Sequence, residues 1–100
     1  MIKHIILWTL KEEFNEEEKA KIKQGIKTGL ESLKDKIPEI AEIKVYTKGL
    51  ASSTADLMLD STFENEEALK AYAKNPAHQE VANTKVRPFV ANRSCLDFEI

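Results

Sequence analysis

The sequence predicts an α+β domain of the ferredoxin-like kind, β-α-β-β-α-β, with a four-stranded antiparallel sheet and both helices on one face. Three observations point there. Ile2–Leu10, Ile40–Leu50, Asp56–Phe63 and Phe89–Ile100 are short runs with two-residue alternation, which read as strands. The stretches after Asn15 and Asn65 carry apolar residues at three- and four-residue spacing, which read as helices. The chain has 100 residues, room for one core, so 1–100 is expected to form a single domain.

Composition narrows the function. With 42% hydrophobic and 32% charged residues, the chain is ordinary globular material and not a disordered segment. Fifteen basic residues face seventeen acidic ones, so the basic surplus of a nucleic-acid partner is missing. No apolar run approaches the ~18–20 residues that span a bilayer, and no membrane partner is expected. The start, Met1 to Trp8, lacks the layout of a signal peptide. Cys95 is the single cysteine, which excludes an internal disulfide and a cysteine-based zinc site. It reads as a small core residue in a reducing cytoplasm.

The first strand places His4, Ile6, Trp8 and Leu10 on one face and Ile5, Leu7 and Thr9 on the other. Both faces are mostly apolar, so both call for cover. Lys11 to Phe14 is a polar connection. Asn15 with Glu18 forms a capping box, and Glu16, Glu17 and Glu18 suit the positive end of the helix dipole. Ile22, Ile26, Leu30, Leu33 and Ile37 make one stripe, expected to run until Pro38 ends the helix. The lysines between them read as a solvated face. Gly25 and Gly29, four apart, serve close packing or leave space for a ligand.

Ile43, Val45 and Thr47 alternate with Lys44, Tyr46 and Lys48 in a half-exposed second strand. Gly49 to Ala55 is a turn, and the third strand puts Leu57, Leu59, Ser61 and Phe63 on one face. Asn65 caps the second helix, whose inward stripe is Ala68, Leu69, Tyr72 and Ala73. Asn75-Pro76 interrupts it, and a short helix restarts with His78, Val81 and Ala82 on one face. The last strand alternates Val90, Asn92, Ser94, Leu96 and Phe98 against Ala91, Arg93, Cys95, Asp97 and Glu99. Two helices cover one sheet face and leave the other bare. Ile5, Leu7 and their neighbours would then be an exposed apolar patch, which a second copy of the chain, sheet against sheet, would hide.

Several strings carry a resemblance. They are Lys3-His4-Ile5-Ile6-Leu7-Trp8, Phe63-Glu64-Asn65, the run from Tyr72 to Val81 with its Y-x3-P-x-H-x2-V pattern, and Asp97-Phe98. Through them the chain resembles the stress-responsive dimeric α/β-barrel (Dabb) family over essentially its whole length. The resemblance implies a homodimer whose two sheets close into a barrel, and a loose link to stress. A plant polyketide cyclase of this family works without a cofactor, using a Tyr and a His that match Tyr72 and His78. Its strand-one His matches His4. A third pocket His is Leu57 here, and a pocket Leu is Trp8, so the resemblance implies a less polar and smaller cavity. The ligand pocket is expected to hold His4, Ile6, Trp8, Leu57 and Leu59.

A neutral imidazole at His78 can take a proton from a carbon acid, and the Tyr72 phenol can donate to the oxygen that gains charge. Six residues along an unbroken helix set them about 120° apart, and the break at Pro76 can reorient them. The bland alternatives stay open: Tyr72 as a core aromatic, His78 locking the Asn75-Pro76 turn through a backbone carbonyl, and His4 as a structural strand residue. Two histidines without nearby paired acids predict no metal centre, and no cofactor is expected. Three functions remain: a homodimeric stress-associated domain binding a small apolar or carbonyl ligand, a cofactor-independent acid–base enzyme, and a monooxygenase of the dimeric-barrel type.

Overall fold

A computed structural model describes residues 1–100. The elements are β1 (Ile2–Leu10), α1 (Glu16–Glu31), β2 (Ile40–Tyr46), β3 (Leu57–Phe63), α2 (Glu66–Lys74), α3 (Pro76–Val81) and β4 (Val90–Glu99). The sheet runs β2-β3-β1-β4 with every neighbour antiparallel, the ferredoxin-like order. No helix is long and apolar enough to cross a membrane.

Capping starts each helix where the sequence places it. The Asn15 side chain accepts from the Glu18 N–H while Glu18 accepts from the Asn15 N–H. Asn65 accepts from the Ala68 N–H, and Asn75 accepts from the Ala77 N–H to open α3. The α1 helix ends earlier than its apolar stripe suggests. From Ser32 to Asp35 it tightens into a 3-10 turn. The Ser32 hydroxyl donates to the Gly29 carbonyl, and the tighter turn sinks both Leu33 and Ile37 completely. The second strand stops at Tyr46, short of the expected Leu50; the chain then turns over Leu50–Ser53, closed by the Ser53 N–H on the Leu50 carbonyl at 2.9 Å, and a Cβ on Gly49 would stand 2.5 Å from the Ser53 Oγ. The two α1 glycines differ. A Cβ on Gly29 would come within 3.0 Å of Val81 on α3, whereas one on Gly25 would meet nothing.

The core lies between the helices and the sheet. Ile6, Trp8 and Leu10 of β1 meet Ile26, Leu30 and Leu33 of the first helical layer, with Leu57, Leu59 and Phe63 from β3. Glu31 accepts from the Val45 N–H at 2.9 Å, and Lys27 donates to the Val45 carbonyl at 2.9 Å, so α1 caps the free edge of β2. Burial alone would raise the Glu31 carboxyl, but Lys27 and the Val45 N–H outweigh it and hold the group below its ordinary value.

The fourth strand reverses the usual pattern. His4 stands opposite Asp97, Ile6 opposite Cys95 and Trp8 opposite Arg93, so the polar alternates of β4 face the helix side. Leu96 and Phe98 therefore face away from the helices, beside Ile5 and Lys3. A register shift at Thr9/Leu10 breaks the simple alternation, and Val90 pairs with Leu10, apart from the face that Asn92 shares with Thr9. The open sheet face carries Leu7 at 41%, Phe98 at 41% and Leu96 at 64% exposure. It also holds the Lys3–Asp60 ion pair at 2.9 Å, whose hydrogen bond raises the Lys3 ammonium above its usual value.

Candidate functional site

Because β4 turns its polar side to the helices, they do not seal against it, and a cavity of about 850 Å3 remains between α2, α3, β1 and β4. That is within the ~300–1,000 Å3 of small-molecule sites. Four of the expected pocket residues, His4, Ile6, Trp8 and Leu59, line it, as do Tyr72 and His78. Leu57, at the start of β3, does not: it packs in the core opposite Trp8.

Tyr72 is 1% exposed, yet its hydroxyl has no hydrogen-bond partner. Its ring is fixed by Phe63, with centroids 4.9 Å apart, and by His78 at 4.3 Å. The Asn75-Pro76 break makes the second contact possible. Residue 75 leaves the helical conformation with φ −63° and ψ 130°, and α3 swings His78 back over Tyr72. Desolvation pushes the phenol well above its ordinary value, so it is a neutral donor.

The His78 Nδ1–H donates to the Ala73 carbonyl at 3.2 Å, because a carbonyl oxygen only accepts. Gln79 donates to the same oxygen at 2.6 Å. The turn-locking bond and the placement over Tyr72 therefore coexist in one histidine. With Nδ1 committed, Nε2 carries the lone pair of the neutral ring. Burial first, then Arg87, His4 and Arg93, lower its proton affinity below the ordinary 6.5, against the Ala73 bond. The imidazole is neutral at pH 7.

His4 is buried beneath this pair, its ring 6.2 Å from Tyr72 and 6.3 Å from Phe63. Its Nδ1 is hydrogen-bonded to the Asp97 carboxylate. The sequence shows no paired acids near the histidines; the β1–β4 register supplies His4 with one. Cys95 adds its Sγ, 3.5 Å from Asp97 and 3.8 Å from His4. Cys95 faces the site and is exposed, where the sequence suggests a core residue. Burial and then Asp97 raise its thiol. His4, Cys95 and Asp97 hold their donor atoms within 4.8 Å of one another, a mixed N, S and O set that could accept a zinc-like ion. In the structure the ring instead bonds Asp97 directly.

Arg87 and Arg93 also line the cavity. Neither arginine stands out in a chain with fifteen basic residues. The signal that could have found Arg93 is its alternation with Asp97 on β4, once the register against β1 is known.

The model of the stress responsive A/B barrel domain family, Dabb, matches residues 2–100. A dimeric protein of unknown function with a ferredoxin-like fold from Bacteroides fragilis is 30% identical, with a TM-score of 0.92 over 99% of this chain and 95% of that chain. A dimeric ferredoxin-like protein of unknown function from Thermobifida fusca is 25% identical, with a TM-score of 0.80 over 99% and 90% of the two chains. A hydroxynitrile lyase from Passiflora edulis shares the fold at 19% identity and a TM-score of 0.75, covering 99% of this chain and 92% of its own. None of the curated proteins compared matches the chain.

Proposed function

The chain belongs to the stress responsive A/B barrel domain family, and from that footing we propose a homodimeric cytoplasmic protein that binds a small carbonyl compound and moves a proton on it without a cofactor. The observation that carries this reading is the Tyr72 hydroxyl, buried and unpartnered on the wall of an 850 Å3 cavity. A buried donor without an acceptor is costly, and a ligand carbonyl is the acceptor that fits an apolar cavity. His78 sits against the same ring with a free Nε2. A carbonyl oxygen held by Tyr72 draws electron density from its α-carbon, and His78 takes the proton released there. The phenol then stabilises the enolate oxygen.

The dimer reading rests on the open sheet face, where Leu7, Leu96 and Phe98 lie beside Ile5. Such a patch favours a partner. The similar proteins from Bacteroides fragilis and Thermobifida fusca are dimeric.

The test needs no natural substrate. Methyl 4-oxo-4-phenylbutanoate, a phenyl ketone with an adjacent methylene, is followed by NMR in deuterium oxide. The protein should speed deuterium uptake at that methylene, and His78→Gln should return it to the buffer rate. Binding without faster exchange would remove the proton-transfer half of the reading and leave the ligand-binding half.

A further inference from the structure

The geometry points to an anion-binding end of this cavity, formed by Arg87 and Arg93, so that the ligand is an apolar carbonyl compound carrying an anionic group. The inference rests on the ligand-pocket reading above and adds the class of ligand. The chain has only two arginines and two histidines, and all four line this one cavity, whose wall takes 21 residues. A placement without function would not gather them there.

Both guanidinium charges are uncommitted. Neither arginine takes part in an ion pair. Arg87 donates to neutral acceptors, the Asn83 side chain and Gln79 Oε1, the latter at 3.4 Å. Of the acids on the wall, Asp97 is held by His4, while Glu66 and Glu99 lie toward the opposite end, where Glu99 pairs with Ile2. Arg93 pairs with Trp8, six β4 residues earlier than Glu99, which is about 20 Å at ~3.3 Å per residue. At the Ile2 end Glu66 and Glu99 stand with Lys70, one helical turn from Glu66 on α2, so the positive charge with no acid beside it lies at the Trp8 end of β4.

Tyr72 and His78 lie within reach of that basic end, since Arg87 donates to Gln79, the residue next to His78, and the His78 ring lies 4.3 Å from that of Tyr72. A ligand with its anionic group on the arginines would present a carbonyl to the buried, unpartnered Tyr72 hydroxyl. Guanidinium groups hold carboxylates and phosphates through the same paired N–H donors, so the shared chemistry is an oxyanion on an apolar body.

Calorimetric titration of the full chain with three probes tests this. They share a phenyl ketone body and end in a carboxylate (4-oxo-4-phenylbutanoate), its neutral methyl ester, or a phosphonate. The carboxylate or the phosphonate should bind about tenfold more tightly than the ester, as expected of a charge-assisted hydrogen bond. Whichever anion binds more tightly identifies the source. Arg93→Gln, on an exposed strand position, should remove that preference, bringing the affinity of the anion down to that of the ester. Equal binding of acid and ester, or a preference that survives in Arg93→Gln, overturns the anion site alone. Failure of all three probes to bind overturns the ligand pocket, and the anion site with it.

Discussion

Replacing Tyr72 with Phe should make the protein more stable and a poorer binder. The substitution keeps the ring that packs 4.9 Å from Phe63 and 4.3 Å from His78 and removes only the hydroxyl. A buried hydroxyl without a partner costs about 1–3 kcal/mol. Tyr72 faces a cavity and not solid core, so the lower end, about 1 kcal/mol, applies here. For a chain of 100 residues that raises Tm by roughly 4–8 °C. The same change deletes one neutral hydrogen bond to the ligand carbonyl, worth about 0.5–1.5 kcal/mol, or roughly two- to tenfold in affinity. Differential scanning calorimetry reads the first effect, and titration with the ketone ester reads the second. The opposite signs are the diagnostic feature. A Tm that falls on Tyr72→Phe would show that the hydroxyl already serves the fold, and the reasoning would fail.

Two further predictions follow from the geometry. Leu96→Lys on the open sheet face should turn the dimer into a monomer by sedimentation with the fold intact. At about 2 kcal/mol for each lost apolar contact, counted twice by two-fold symmetry, the dissociation constant rises about a thousandfold; an unchanged dimer would move the interface elsewhere. The His78 imidazole is depressed below 6.5 in the fold, so the unfolded chain binds its proton first as pH falls. Its contribution to stability is therefore complete above pH 6.5 and is lost as pH falls through the folded-state value. Urea unfolding from about pH 8 to about pH 5 should show that falling limb in the native protein and a shallower one in His78→Gln, while ketone exchange should stay level above the same point.

Much of the fold is local and therefore legible. Asn15 and Asn65 announce two helix starts because an Asn side chain satisfies an N–H group only three residues away, and Pro76 announces the third, where the structure adds the Asn75 cap. The alternation of β1 and the stripe of α1 are equally short-range. The pairing of Tyr72 with His78 is legible in part, since Pro76 marks where the helix must break. The rest depends on strand register. Asp97 meets His4 across 93 positions of sequence, and no local pattern specifies that distance. The same register decides that Arg93 and Asp97 face the helices while Leu96 and Phe98 face out. A one-residue slip would exchange those faces and close the cavity with leucine and phenylalanine. Leu57 has the expected face but sits at the start of β3 beside Trp8, where it packs in the core, while Leu59 two residues on reaches the cavity.

The carbonyl carbon of a bound ketone reports directly on the bond at the centre of this account. With a 13C label at the ketone of methyl 4-oxo-4-phenylbutanoate, its resonance should move downfield on binding, as a carbonyl does when it accepts from a phenol. In Tyr72→Phe saturated with the same probe, the resonance should stay at the position it has in an apolar solvent. Identical shifts in the two proteins would mean that the Tyr72 hydroxyl does not hold the carbonyl.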